Sequence, residues 1–255
     1  MKGSIAATTE VCRTLRLPAV AREAERLAEE AERQGIDPLG YLQQLLEIEA
    51  DERRIRRAAR RVKEAGFPLM KTLEGFDFGR NRSLPEAQLR RLADGAYIDN
   101  AECVILVGDP GTGKTHLATA LGVVAAEQGR RVRFVTAGRL VNELMEARDA
   151  MQLSRVVARF ARVDLMILDE LGYLPLGKAD AELLFQVLSE RAERRALVLT
   201  TNLPFSEWTS IFPDARLCRA VIDRLTHRSH IIDTGTNSIR LEEAMKRSGK
   251  TGPRS

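Results

Sequence analysis

The sequence has few cysteines, few aromatic residues and no long apolar run. Its three cysteines, Cys12, Cys103 and Cys218, lie far apart, so they predict no disulfide framework and are typical of a protein in a reducing compartment. No stretch approaches the ~18 apolar residues of a membrane span. Arg13 and Arg16 interrupt the N-terminal segment where a signal peptide would have its apolar core. We therefore expect a soluble, cytoplasmic protein with no membrane partner.

Positive and negative charges are also nearly balanced in the sequence. The chain has 40 Lys+Arg against 36 Asp+Glu in 255 residues, a formal net charge of +4. This balance is compatible with nucleic-acid binding but does not demand it, because the distribution of charge matters more than the sum. Hydrophobic residues make up 44% of the chain, which is enough for one large domain or for a medium domain with a small one.

Residues 1–70 are charged and poor in β-formers, and we expect them to form a small helical domain. One helix is predicted over residues 18–34. A second is predicted to follow Asp37 as N-cap, with Pro38 at its first position, and to end at residues 66–68, Gly-Phe-Pro.

The second of these helices contains a basic run. Seven of the eleven residues from 53 to 63 are basic: Arg53, Arg54, Arg56, Arg57, Arg60, Arg61 and Lys63. One interpretation is a solvated helix face that nearby acidic residues balance. The other is a surface for DNA phosphates, because the acidic residues stop at Glu52 while the arginines continue for nearly three turns.

After a connector at residues 71–100, apolar runs and helical patterns alternate, which is typical of an α/β fold with a parallel sheet. Strands are predicted near 103–107, 131–136, 163–168, 196–201 and 230–234. Helices are predicted near 113–128, 138–149, 153–162, 180–193 and 214–227. This alternating domain is expected to cover 101–243. Residues 244–255, with four Lys or Arg among Gly, Ser and Pro, are expected to be a disordered basic tail.

Residues 108–115 match Gly-x-x-x-x-Gly-Lys-Thr in full and follow the apolar run 103–107, the setting of a phosphate-binding loop. The glycines let backbone N–H groups point inward at phosphate oxygens. Lys114 is expected to reach the β- and γ-phosphates, and the Thr115 hydroxyl to hold Mg²⁺. The predicted nucleotide-binding residues are Gly108, Asp109, Pro110, Gly111, Thr112, Gly113, Lys114, Thr115 and His116.

Three further polar residues follow predicted strands. Asp169 and Glu170 end the run 163–168, and Asn202 ends the run 197–201. Because parallel sheets bind ligands at the carboxyl ends of their strands, we expect all three beside the phosphate loop. Asp169 would hold Mg²⁺, Glu170 would polarise the attacking water, and Asn202 would contact the γ-phosphate or that water. The alternatives are a helix cap for the acidic pair and an ordinary turn residue for Asn202.

These motifs, taken together, resemble the IstB/DnaC group of AAA+ ATPases, and IstB-type proteins most closely. The similar segments are Thr-His-Leu-Ala at 115–118, Leu-Asp-Glu-Leu-Gly-Tyr-Leu-Pro at 168–175, Thr-Thr-Asn at 200–202, Asp-Arg-Leu at 223–225 and Ala-Gly-Phe-Pro-Leu-Met-Lys-Thr-Leu-Glu-Gly-Phe-Asp-Phe at 65–78. The resemblance implies an αβα P-loop sandwich with a five-stranded parallel sheet, a small all-helical N-terminal domain and no full C-terminal lid. It also implies ATP and Mg²⁺ as cofactors and a sensor role for Asn202.

The same resemblance implies a homo-oligomer with ATP between subunits, because Arg224 would act as an arginine finger on a neighbouring subunit. It further implies ATP-dependent binding to duplex DNA in support of an IstA-type transposase. DNA contacts would come from the basic run and from Arg155, Arg159 and Arg162. Arg240 matches a C-terminal family motif. That motif usually has an aromatic residue at the preceding position, where this sequence has Ile239, and the role of Arg240 stays open. The alternatives are a DnaC-like helicase loader that binds single-stranded DNA, and a non-catalytic ATP-gated scaffold.

Overall fold

The computed structural model describes residues 4–81, 83–173, 176–236 and 238. The chain divides into two compact units, Met1–Arg60 and Arg61–Ser255, and the division falls inside one long helix. Arg240, Ile239 and the expected tail 244–255 lie outside the described residues.

The first unit is helical. It contains α1 (Ile5–Thr14), α2 (Pro18–Gln34) and the larger part of α3 (Pro38–Ala65). Pro18 occupies the first turn of α2, and Gly35 ends that helix with a φ of 66°, the left-handed conformation that glycine adopts most easily. A small core joins the three helices through Cys12, Val20, Leu27 and Leu45. Helix α1 was not predicted, because its adjacent β-branched Thr8 and Thr9 are weak helix formers.

After the end of α3, the second unit contains short helices that the pattern did not predict. A 3₁₀ turn covers Phe78–Arg80, and α4 (Glu86–Ala93) and α5 (Ala96–Asp99) follow. Their lengths of 8 and 4 residues are too short for apolar periodicity to be read reliably.

A five-stranded sheet forms the centre of the second unit. Its strands are β1 (Cys103–Val107), β2 (Val132–Thr136), β3 (Leu165–Asp169), β4 (Ala196–Thr201) and β5 (Ser229–Asp233). They lie in the order β2-β3-β4-β1-β5, and each neighbouring pair is parallel. Strand β4 lies between β3 and β1, so the residues that follow these three strands meet at one edge of the sheet.

Helices cover both faces of this sheet. They are α6 (Lys114–Glu127), α7 (Ala137–Asp149), α8 (Leu153–Ala161), α9 (Lys178–Arg191) and α10 (Ala215–Thr226). Alternate residues of β1 enter two different cores: Ile105 packs with residues of α7 to α10, whereas Val104 and Leu106 pack with α4, α5 and α6. The αβα sandwich with a five-stranded parallel sheet is therefore confirmed. In the described part of the chain, no helix combines the length and apolar character needed to cross a membrane.

Candidate nucleotide-binding site

The phosphate loop connects β1 to α6, and its three glycines all have positive φ: 150° at Gly108, 88° at Gly111 and 95° at Gly113. Gly108 also lies directly against the segment that follows β5. A Cβ atom on Gly108 would lie 2.8 Å from the carbonyl oxygen of Gly235, closer than side chains tolerate. Only glycine meets both the conformational and the steric requirement at this position.

Lys114 begins α6 and is 8% exposed. Its Nζ donates hydrogen bonds of 2.7 Å to the carbonyl oxygens of both Gly108 and Asp109. The ammonium group is thereby held over the loop, next to the positive end of the α6 dipole. The ammonium group and the inward-pointing backbone N–H groups of the loop together form a positive site that can bind phosphate oxygens.

Thr115 and Asp169 form the acidic side of the site. Thr115 Oγ1 lies 3.0 and 3.1 Å from the two carboxylate oxygens of Asp169. Burial raises the pKa of the Asp169 carboxyl group, while hydrogen bonds from Thr200 and Thr115 oppose that rise. A hydroxyl and a carboxylate oxygen beside a phosphate loop are hard ligands of the kind that Mg²⁺ takes together with phosphate oxygens.

Glu170 is exposed and has a φ of 65°. A non-glycine residue in this region costs about 1–3 kcal/mol of backbone strain. The conformation is held by a hydrogen bond from Glu170 N–H to Thr200 Oγ1, 2.9 Å long. The Glu170 side chain is thereby kept at the edge of the same cavity as Lys114 and Thr115.

Thr200 is a residue of this site that the motif analysis missed. It is 1% exposed, and its Oγ1 donates to Asp169 Oδ1 at 2.6 Å while accepting the Glu170 N–H. One hydroxyl thus fixes both acidic residues. Its place in the Thr-Thr-Asn segment was the available sequence signal, but that segment drew attention only to Asn202.

Asn202 follows the end of β4 and lines the cavity. Its Oδ1 atom is buried and has no hydrogen-bond partner among the residues that the structure describes. The atom lies against Gly172, where an added Cβ would be only 2.0 Å away. The structure therefore places Asn202 beside the turn that contains Glu170, in the wall of the cavity at the phosphate loop.

The cavity at the phosphate loop has a volume of about 550 Å³, within the range of small-ligand sites. A segment upstream of the loop supplies another part of its wall: Pro68, Leu69, Lys71, Gly75, Phe76, Asp77 and Arg80. His116 joins this segment to α6, because its Nε2 lies 2.9 Å from the Thr72 carbonyl oxygen. The His116 ring also packs edge-on against Phe76, with 5.1 Å between ring centroids. Apart from His116, sequence reasoning had not assigned this wall to the nucleotide site.

Arg224 lies elsewhere. It is exposed on α10, donates to Ser189 Oγ, and its guanidinium carbon lies 4.8 Å from the centre of the Phe185 ring. It lines a small cavity with Glu102 and Cys103, at the start of β1. The five residues of β1, roughly 13 Å at the usual rise, separate this cavity from the phosphate loop. The structure does not bring Arg224 to the phosphate loop of its own chain.

The basic run of α3 is largely exposed but is not free of acidic partners. Arg53 pairs with Glu49 at 2.8 Å and Arg56 with Glu52 at 2.5 Å. The acidic residues that precede the basic run therefore form ion pairs with arginines one helical turn further along. These pairs support the interpretation that the first half of the run is a solvated helix face. Further ion pairs of α3 are Arg54 with Asp51 and Arg61 with Glu64. Among the described residues, Arg57 and Lys63 form no ion pair.

Helix α8 presents a second basic group. Arg155 and Arg162 are exposed, and Arg159 pairs with Glu143 and lies over the Phe160 ring at 5.0 Å. Val157 and Phe160 are buried in the core. The apolar side chains of this helix thus face inward, and its arginines face solvent.

Comparisons with known proteins agree with this geometry. The sequence model of the IstB-like ATP binding protein family matches residues 10–247. A putative ATP-binding protein of insertion sequence IS21 from Pseudomonas aeruginosa is 38% identical over 232 residues, covering 91% of this chain and 88% of that protein. One from insertion sequence IS5376 of Geobacillus stearothermophilus is 37% identical over 234 residues, covering 92% and 93%.

Solved structures share the fold at lower identity. AMPPCP-bound DnaA from Aquifex aeolicus has a TM-score of 0.57 and 18% identity, over 74% of this chain and 58% of that one. The DnaC helicase loader has a TM-score of 0.52 and 20% identity, over 64% of this chain and 95% of that one. With the phosphate loop geometry and the match over residues 10–247, the chain belongs to the family of IstB-like ATP-binding proteins.

Proposed function

We propose that this protein is an Mg²⁺-dependent ATPase that assembles on duplex DNA and assists an IstA-type transposase. The observation that carries the catalytic part is the meeting of Thr115, Asp169 and Glu170 beside the phosphate loop. A site for binding alone would not require a strained glutamate at the cavity edge.

In the proposed reaction, Lys114 exchanges its loop carbonyls for the β- and γ-phosphate oxygens of ATP. Thr115 and Asp169 would hold Mg²⁺, which neutralises charge on the phosphates when bound. Glu170 orients the attacking water and accepts its proton. The Asn202 amide donates a hydrogen bond to the γ-phosphate or to that water.

The position of Arg224 supports a site shared between subunits. Arg224 lies at the far end of β1 from the phosphate loop of its own chain, so an arginine-finger role would require the ATP of a neighbouring copy. The guanidinium would stabilise the charge that develops on the γ-phosphate. ATP would then connect subunits, and the assembled oligomer would be the active form.

DNA binding is proposed for the exposed arginines of α3 and α8. Arg57 and Arg155 are the strongest candidates, because both are exposed and neither forms an ion pair among the described residues. Arg53, Arg56 and Arg159 would first have to leave their carboxylate partners. The transposase partnership is supported by the relatives' names, which place those proteins in insertion sequences.

The proposal is tested by measuring binding to duplex and to single-stranded DNA of equal length, with ATP, with a non-hydrolysable analogue and without nucleotide. Strong binding to duplex that depends on nucleotide is the expected result. A preference for single strands would instead favour a helicase loader. Lys114→Ala is the matched reference, because it should abolish the nucleotide dependence without altering the arginines.

A further inference from the structure

The phosphate loop is hydrogen-bonded to the segment that follows β5. Thr234 is completely buried, and its N–H donates to the Val107 carbonyl at 2.7 Å. Its Oγ1 lies 2.6 Å from Oγ1 of Thr112, a buried residue of the loop. The next carbonyl, that of Gly235, accepts the Asp109 N–H at 2.9 Å. Residues 122 or more positions apart are thus joined along one side of the loop.

The two threonine hydroxyls can form a directed chain. Thr112 Oγ1 donates to the Asp109 carbonyl at 2.9 Å. The Thr234 hydroxyl has two acceptors within reach, Thr112 Oγ1 at 2.6 Å and the Val107 carbonyl at 3.2 Å. Since a hydroxyl has one proton, the shorter contact uses the Thr234 proton when Thr112 donates to Asp109. The Asp109 carbonyl also accepts from Lys114 Nζ at 2.7 Å. The Thr234 hydroxyl is therefore two hydrogen bonds from the carbonyl that holds the phosphate-binding ammonium group.

The backbone carbonyl of Thr234 contacts a residue adjacent in sequence to the upstream cavity wall. Asn81 Nδ2 donates to the Thr234 carbonyl at 2.7 Å, and Asn81 Oδ1 accepts from Ser83 at 2.6 Å. Asn81 is 9% exposed and directly follows the 3₁₀ turn containing Arg80, a residue of the upstream cavity wall. Thr234 therefore joins the phosphate loop to the upstream segment.

We propose that Thr234, supported by Asn81, is a positioning residue for the ATP triphosphate. It fixes the loop and the direction of Lys114, and through Gly235 it connects the nucleotide to the chain beyond β5. This role rests on the proposed binding of ATP at the phosphate loop. This role of the hydroxyl can be separated from a role in packing, because valine has nearly the shape of threonine but lacks the hydroxyl.

The test compares Thr234→Val with Thr234→Ser. Thr226→Val is the matched control, since Thr226 Oγ1 bonds a carbonyl of α10 at 2.8 Å, away from the loop. We expect Thr234→Val to weaken binding of a non-hydrolysable ATP analogue about tenfold, the effect of one buried hydrogen bond. Thr234→Ser should stay within about twofold of wild type, and Thr226→Val should not change affinity. KM for ATP should rise more than kcat falls.

Folding is monitored by Tm without nucleotide, and Asn81→Leu provides a second route if Thr234→Val fails to fold. Wild-type affinity in folded Thr234→Val, or in folded Asn81→Leu, overturns the inference. An equal loss in Thr234→Ser would also overturn it, because the hydroxyl would then not be the cause. If wild-type protein and Lys114→Ala bind the analogue equally, the proposed ATP site itself fails, which is a separate outcome.

Discussion

The hydroxyl of Thr200 donates to Oδ1 of Asp169 across a distance of 2.6 Å. Thr200 Oγ1 also accepts the N–H of Glu170, so a single side chain on β4 orients the proposed metal ligand and holds the proposed base in its left-handed conformation. The position of both acidic residues thus depends on β4 as well as on β3, which ends at Asp169.

Thr200→Val is therefore expected to lower kcat about tenfold or more, because it leaves a buried carboxylate oxygen with one fewer donor and the Glu170 N–H without its acceptor. Thr200→Ser should retain most activity. Steady-state ATPase assays at several Mg²⁺ concentrations measure the effect. Unchanged kcat in a folded valine variant would show that the bridge has no catalytic consequence.

Glu170→Gln is expected to reduce ATP hydrolysis by about 10²–10⁴-fold, because the amide cannot accept the proton of the attacking water. ATP affinity should change little, since the phosphate loop is untouched. ATP-bound assemblies should consequently persist on DNA, which filter binding or single-molecule dissociation can measure. Dissociation at the wild-type rate would exclude Glu170 as the base.

Mixing Arg224→Ala subunits with Lys114→Ala subunits is expected to restore part of the ATPase activity. In a mixed oligomer, some interfaces combine an intact phosphate loop with an intact Arg224, although neither variant alone forms one. Activity measured against mixing ratio should pass through a maximum. Absence of recovery at every ratio would contradict a site shared between subunits.

Much of the fold could be predicted because the central strands are buried apolar runs. The bounds of β1 and β4 match the prediction, 103–107 and 196–201. Strand β3 ends one residue later than expected, at Asp169, because the ladder with β2 continues through Thr136. A polar residue at a strand end resembles a turn unless its partner strand is known.

The site could be predicted only where residues are adjacent in a motif. Contacts between distant residues leave no local pattern: Asn81 and Thr234 are 153 positions apart, and each is an ordinary polar residue in its own surroundings. A role for Arg224 away from its own loop could be expected only through resemblance, since spacing alone does not indicate at which edge of a sheet a helix ends.

Charge reversal tests the proposed DNA contacts of α3 and of α8. Arg57→Glu and Arg155→Glu should each weaken duplex binding and reduce its dependence on salt, because each lost phosphate contact removes about one unit from the slope of log K against log salt. Arg90→Glu is matched in charge change; Arg90 is exposed on α4 and pairs with Glu86 at 2.8 Å. It should lower affinity far less. An equal effect of all three would indicate a response to net charge alone, and an unchanged slope for Arg57→Glu would make that part of α3 a solvated helix face.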